Sequence, residues 1–285
     1  MIRTVIFGVG YIGSALLEYW KREGKRRLIA TTTSVEKLQA FKQQADVVIL
    51  ARGDDKDTVR KALNSVEEIV ISIAPSQRDS YEKTYLDTAK TFCTVLTQTN
   101  SLKHLVYLSS TSVYGDRNGE WVTEETDLDL KSENSKTLCD TEALYLQQAS
   151  TRLLITVLRL GEIYGPSRSH ASRVKRLAGA SLPGNGNAFC NWVHQEDVVR
   201  AIDWVLKNQL SGVYNICSDD RPSKKELYDS IAMEIKAPQV TWNPTTVGAH
   251  SGNRKVSNEK IRETGFRFLH SCSGPLEWLY DPNSA

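Results

Sequence analysis

A chain of 285 residues, 25% charged and with a formal net charge of +2, has room for one large α/β domain or a nucleotide domain carrying a smaller lobe, and no global field to drive it onto nucleic acid or a membrane surface. No apolar stretch approaches the roughly 18 residues of a membrane span. Five cysteines (93, 139, 190, 217, 272) lack CxxC pairing, which argues for reduced thiols, and five dispersed histidines lack ligand spacing, so no metal site is expected.

The chain begins at once with an apolar, β-branched run at residues 4–7 and shows no charged n-region or apolar h-region, so the expected location is cytoplasmic. Glycines at 8, 10 and 13 follow that run and precede a helical pattern carried by Ile12, Ala15, Leu16, Tyr19 and Trp20 and closed by Gly24. This is a dinucleotide-binding fingerprint in its proper context. Gly8 allows the tight turn, Gly10 lets backbone approach a pyrophosphate, and Gly13 lets the helix pack closely on the sheet. The backbone from Gly10 through Tyr11 and Ile12 to Gly13 then offers its N–H groups to the phosphates at the helix N-terminus. The basic run Lys21, Arg22, Lys25, Arg26 and Arg27 reads most simply as a solvated helix end.

Further short apolar runs recur at residues 28–31, 47–51, 69–74, 105–110, 154–160 and 213–217, separated by helix-length segments. Runs of this kind suit strands buried on both faces of a parallel sheet, and the alternation reads as a doubly wound α/β fold. The longest helical patterns are residues 81–99, 135–150 and 196–207. After Gly165 the alternation loosens through Pro166, Ser167 and Ser169 and a glycine-rich stretch at 183–187, and a second irregular region begins at Ser218. The expected division is a nucleotide domain over residues 1–165, completed by 192–217, with a smaller C-terminal substrate lobe from 166–191 and 218–285.

Five ordered segments resemble one family. They are LVYLSSTSVYG (105–115), RLGEIYGP (159–166), WVHQED (192–197), VYNICS (213–218) and KVSNEKIRETGFRF (255–268). They are similar to the extended branch of the short-chain dehydrogenase/reductase superfamily, the NAD(P)-dependent epimerase/dehydratase family. The resemblance implies a Rossmann sheet with a substrate lobe, and places Ser110 where a hydroxyl contacts the reacting oxygen of a sugar. It also implies a tyrosine and a lysine four residues apart on one helix face, the lysine and cofactor lowering the tyrosine's pKa for proton transfer during hydride transfer. Aligned on Glu142, those positions hold Asn134 and Leu138, and none of the eleven tyrosines is followed four residues later by lysine. The chain thus resembles an atypical member. Tyr114, His194 and Cys139 are the residues that could stand in as acid or base, each with a plain packing role as its alternative. Arg159, Asn191 and Arg254 could line a substrate site, and Arg159 could equally bridge strand and loop.

NAD-preferring proteins of this fold carry an acidic residue near the end of the second strand. Here that place reads Thr31, Thr32, Thr33 and Ser34, whose hydroxyls could donate to a 2′-phosphate, so NADP is favoured over NAD. Lys37 or the basic run would have to supply positive charge, and Glu36 could still reach a ribose. Ile73, Ala74 and Pro75 would line the adenine side.

Two readings of function follow. One is an NAD(P)-binding oxidoreductase or epimerase-like enzyme acting on a small polar substrate such as a nucleotide-sugar. The other is a catalytically silent NAD(P)-binding redox sensor or regulatory protein. The superfamily's habit of dimerising through two long helices makes a homodimer through residues 81–99 and 135–150 an option that helix patterning leaves open.

Overall fold

In the computed structural model, which describes residues 1–75, 80–246 and 252–273, the apolar runs become strands, the inner ones buried along most of their length and the edge strand Val47–Leu50 fully buried only at Ile49. Glu68–Ile71 is buried at every position and His104–Ser110 at all but the last. In chain order the elements begin β1 (Ile2–Phe7), α1 (Tyr11–Glu23), β2 (Arg26–Thr32), α2 (Val35–Lys42), β3 (Val47–Leu50), α3 (Lys56–Ala62) and β4 (Glu68–Ile71). A π-helical turn (Lys83–Asp87) leads into α4 (Thr88–Leu96), then β5 (His104–Ser110), β6 (Trp121–Val122), α5 (Glu133–Leu146), β7 (Leu154–Leu160) and β8 (Glu162–Tyr164). The remainder is α6 (His170–Leu177), β9 (Ser181–Pro183), β10 (Trp192–His194), α7 (Gln195–Lys207), β11 (Gly212–Ile216), α8 (Lys224–Glu234), β12 (Thr241–Asn243), β13 (Lys255–Val256) and α9 (Glu259–Glu263).

The seven apolar runs form one parallel sheet, in the order β11-β7-β5-β4-β1-β2-β3. From β1 the chain winds outward to β2 and β3, then crosses back to place β4 on the other side of β1. The end of β1 is therefore the topological switch point, where open α/β sheets take their ligands. Phe7 meets Phe92 edge-on at 4.9 Å within a core that also holds Val5, Ile69, Leu105, Tyr107 and Tyr145.

The chain divides into two units: Met1–Val113, Leu130–Arg159 and Val199–Tyr214 form the first, and Tyr114–Asp129, Leu160–Val198 and Asn215–Ala285 the second. The excursion Tyr114–Asp129, placed by sequence in the nucleotide domain, belongs to the second unit. Its strand β6 pairs with β13, Trp121 opposite Lys255, and the Asn253 carbonyl accepts the N–H groups of Arg117 and Gly119. The second unit's core gathers Tyr164, Trp192, Leu227, Ile231, Val240 and Cys272. Its last described segment is held by two carboxylates: Asp197 accepts the N–H groups of Leu269 and His270, and Asp220 those of Cys272 and Ser273.

The basic run does not behave as one surface. Lys21, Arg22, Lys25 and Arg27 are exposed, but Arg26 is buried. As the first residue of β2 it points inward, where its guanidinium pairs with Glu68, donates to Thr4 Oγ1 at 3.0 Å and lies over the Trp20 ring at 4.4 Å. Trp20 Nε1 donates to Asp203 at 2.8 Å, so α1, α7 and three strands share this network. A strand's two-residue alternation, rather than charge density, decides which arginine goes inside.

His104, at the start of β5, lies 2.8 Å from Thr156 Oγ1, and burial pushes its pKa down to about 4. The unfolded imidazole titrates near 6.5, so its contribution to stability is complete above about pH 6.5 and is lost as pH falls toward 4. Urea unfolding should show stability falling across that window, and falling less steeply in His104→Gln; equal slopes would show that His104 is not a source of the acid sensitivity.

Candidate functional site

The three glycines of the β1–α1 turn meet three different constraints. Gly8 has φ +89°, and a Cβ there would lie 2.8 Å from the Ser72 carbonyl oxygen and 2.7 Å from Ile73 Cγ2. Its N–H donates to Thr31 Oγ1 at 2.9 Å, and the next N–H, of Val9, to the Thr31 carbonyl at 2.9 Å. A Cβ at Gly13 would lie 2.9 Å from the Gly8 carbonyl oxygen, so the helix sits directly on the strand end. At Gly10, by contrast, a Cβ would meet nothing within 4 Å. That is the one glycine of the three with open space beside it, which is what close approach by a ligand phosphate requires.

Gly10 caps α1 without a side-chain hydrogen bond, and the helix has no acidic residue in its first turn. An anion at this end would face positive backbone dipole with no competing carboxylate. Ile12 is buried and Tyr11 half-buried, so the turn offers a phosphate chiefly backbone. Ile73 packs under Gly8, while Ala74 and Pro75 are exposed beyond β4. The dinucleotide's pyrophosphate thus fits the residues present. At the end of β2, Thr31 and Thr32 are buried, Thr33 is exposed, and Ser34 caps α2 by accepting the Lys37 N–H.

On β5, α5 and β7 the structure assembles a buried trio that sequence did not connect. Arg159 donates to Glu142 through Nε (3.2 and 3.1 Å) and Nη2 (2.8 Å), and Ser109 Oγ donates to Glu142 Oε1 at 2.5 Å. All three are under 7% exposed, and Arg159 bridges β7 to helix α5, a different bridge from the strand-to-loop one expected. The clue in the sequence was only that Glu142 sits on the same helix face as Leu138. Ser110 is half-buried, and its Oγ accepts the Ser112 N–H at 3.1 Å, which fixes the oxygen and leaves the O–H as donor. Asn134 is exposed near the start of α5 and Leu138 is 1% exposed. Burial, with Glu142 nearby, pushes the Cys139 thiol up to about 11, away from nucleophile behaviour.

In the second unit, Tyr114 is fully buried and its hydroxyl donates to Asn215 Oδ1 at 2.7 Å, a structural bridge. Asn191 stitches backbone: its amide donates to the Arg254 carbonyl at 2.9 Å and its Oδ1 accepts the Val256 N–H at 2.8 Å. Arg254 donates to the Gly115 carbonyl at 2.7 Å. His194 accepts the Glu196 N–H on Nδ1, which puts its proton on Nε2, and burial reinforced by the His270 ring pushes it down to about 4. His270 Nε2 lies 2.9 Å from Glu196, so His194, Glu196 and His270 gather with their ligand atoms within 4.8 Å of one another. The two rings are tilted at 33° with their centroids 3.8 Å apart, and the Nδ1 lone pair of His194 is already taken by the Glu196 N–H. A 76-residue separation hides this group from any reading based on spacing.

Residues 4–217 match the family model for the NAD dependent epimerase/dehydratase family. The chain belongs to that family. The epimerase/dehydratase chain is 26% identical to Protein YeeZ of Escherichia coli K12 over 249 residues, 84% of this chain and 86% of that protein. Its fold is similar to a conserved protein of unknown function from Silicibacter pomeroyi DSS (24% identity, TM-score 0.79, covering 98% of each chain). It is also similar to dTDP-glucose 4,6-dehydratase from Bacillus anthracis, solved in complex with NAD (20% identity, TM-score 0.81, covering 96% of this chain and 93% of that one).

Removing one partner of the buried pair leaves the other charge uncompensated, so Arg159→Met should cost about 3–5 kcal/mol in denaturant unfolding, whereas Ser109→Ala, which removes one hydrogen bond, should cost about 1–3 kcal/mol. A loss below about 1 kcal/mol for Arg159→Met would mean that water reaches Glu142 and that the pair is not structural.

Proposed function

We propose that this family member binds NAD(P) at the β1–α1 turn and acts as an oxidoreductase or epimerase-like enzyme on a small polar substrate, a nucleotide-sugar being the leading class, without the usual tyrosine and lysine. The observation that carries the reading is the open space beside Gly10 at an acid-free helix N-terminus, at the switch point of the sheet. A bound nicotinamide supplies the hydride donor or acceptor. Ser110, its oxygen held by the Ser112 N–H, directs its O–H toward a substrate oxygen. The second unit, taken by itself, holds His194, which stays neutral at physiological pH with its proton on Nε2, and Arg254, whose buried Nε has no partner among the described residues and suits an anion. The nucleotide-sugar class is suggested by the dehydratase of similar fold, whose name specifies dTDP-glucose.

The second reading, a silent NAD(P)-binding sensor, is favoured by Asn134 and Leu138 at the pair's positions and by the bridging bond that ties down Tyr114. We take the protein to work in the cytoplasm; no helix among the described residues is long and apolar enough to cross a membrane. The outward residues of α4 and α5 include Lys90, Thr94, Lys136 and Asp140, all exposed. Such a polar face offers a homodimer little apolar area, so we do not carry the helix-face dimer into the proposal.

Calorimetric titration of the cofactor-stripped protein with NADP⁺, NADPH, NAD⁺ and NADH should show binding of at least one redox pair. Gly10→Trp should abolish it with little change in the unfolding midpoint, because a Cβ at that position meets nothing within 4 Å. Failure of all four to bind would overturn the proposal. With binding established, reduction of the bound nicotinamide by a nucleotide-sugar selects the enzyme, and tight binding without turnover across a panel of such sugars selects the sensor.

A further inference from the structure

We infer that Arg3 and Arg27, side by side on β1 and β2 at the N-terminal edge of the sheet, form a binding site for a phosphate group, separate from the dinucleotide turn at the opposite edge. The two strands run parallel with Arg3 opposite Arg27 and Thr4 opposite Leu28. Residues paired in this way share a face of the sheet and lie about 4.8 Å apart across the strands. The face is the one on which Val5 and Ile29 pack in one core with Val59 of α3 and Phe92 of α4. Arg27 therefore projects away from Arg26, whose network with Glu68, Thr4 and Trp20 lies on the other face.

Like charges directly opposite one another destabilise a strand pair, and the chain sets no carboxylate between these two. Glu67 lies on the far side of β1, where its N–H donates to the Arg3 carbonyl at 3.0 Å and its carboxylate pairs with Lys103 at 2.8 Å. Asp46 lies on the far side of β2, and its carboxylate accepts the Leu28 N–H at 2.7 Å. Among the described residues, neither acid forms an ion pair with Arg3 or Arg27.

The two guanidinium groups also hold unused donors. Arg3 is half-buried, and its Nη2 donates to the Asn64 carbonyl, just past α3, at 3.3 Å, while its Nε is buried without a partner. Arg27 is exposed, and its side chain makes no hydrogen bond or ion pair among the described residues. A buried N–H without an acceptor is costly. Turning the Arg3 head from Asn64 toward Arg27 brings its Nε–H and the Arg27 fork to one oxyanion, which supplies the missing acceptor and cancels the repulsion. Phosphate suits the pair better than a carboxylate, because it offers more acceptor oxygens to two planar forks. Lys25, exposed in the turn before β2, adds charge at the same edge without belonging to the pair, and serves as the control.

The test follows the arginine Nε–H resonances of the full chain, and of its Gly10→Trp variant with the dinucleotide turn blocked, as inorganic phosphate is added at constant ionic strength. The Arg3 and Arg27 signals should shift together and saturably in both proteins. Arg27→Gln should weaken the affinity read at Arg3 at least about tenfold, and Lys25→Gln should change it by less than about twofold. Because phosphate binds the folded chain, it should also raise the unfolding midpoint of the wild type, and raise it less in Arg27→Gln. No saturable shift at Arg3, an equal shift with sodium chloride, or an affinity that survives Arg27→Gln would overturn the site. An equal loss in Lys25→Gln would do so too, since the field would then be diffuse. Vesicles of phosphatidylcholine with and without phosphatidylinositol 4-phosphate identify the source of the phosphate. Sedimentation with the phosphorylated vesicles alone, lost in Arg27→Gln, assigns a lipid headgroup, and phosphate binding without sedimentation assigns a soluble phosphate. The site stands even where no dinucleotide binds, and a shift at Arg3 that disappears in Gly10→Trp overturns it while leaving the dinucleotide reading intact.

Discussion

The close seating of α1 on the end of β1 is the contact from which the rest of the first unit follows. A helix cannot start 2.9 Å from a carbonyl oxygen, measured to where Cβ would be, unless position 13 is glycine, and the chain cannot turn that sharply unless Gly8 takes a positive φ. Both demands are met only because β2 braces the turn, with Thr31 accepting the N–H of Gly8 on its hydroxyl and that of Val9 on its carbonyl. The turn that would receive the pyrophosphate and the strand end that would receive the ribose are thus one hydrogen-bonded piece.

Two buried arginines then brace the sheet from opposite ends. Arg26, at the start of β2, ties α1 and α7 to the strands through Glu68, Thr4 and Asp203. Arg159, near the end of β7, ties α5 to β5 through Glu142 and Ser109. Buried pairs of this kind add little net stability over an apolar replacement, because desolvation offsets the attraction, but a helix that slips by one residue would strand a charge in the core. They act as register pins. In a parallel sheet, whose strands are otherwise near-uniform apolar runs, such pins select one packing among several of similar burial.

What could be read from sequence depended on how local the cause was. The seven sheet strands were legible because each is a short apolar run, as burial on both faces demands of the inner ones although β3, at the edge, fully buries only Ile49, and the glycine turn because its three constraints fall within six residues. Strands β6 and β13 have two residues each, too few for a period, so their pairing, which holds the excursion Tyr114–Asp129 within the second unit, leaves no signal in the sequence. Arg26 was hidden in a charge run because burial there depends on strand phase. The partner of Tyr114 lies 101 residues away at Asn215 and that of Arg159 lies 17 away on a helix, and neither separation carries a periodic signal.

Of the positions that the resemblance gives to a tyrosine and a lysine, Asn134 and Leu138, the second lies on a helix face whose packing constrains it. Leu138 is 1% exposed, so a lysine there would bring an ammonium into the core one turn before Glu142. Glu142 cannot compensate it, because Arg159 already holds both of its oxygens and Ser109 donates to one of them. A second cation would find its natural counter-ion neutralised, and a buried charge without a partner is costly. The lysine, the carboxylate and the arginine would have to change together for the usual pair to be restored. The charges on this face of α5 are thus closed on one another, and the proposed function draws its polar groups from residues outside the helix.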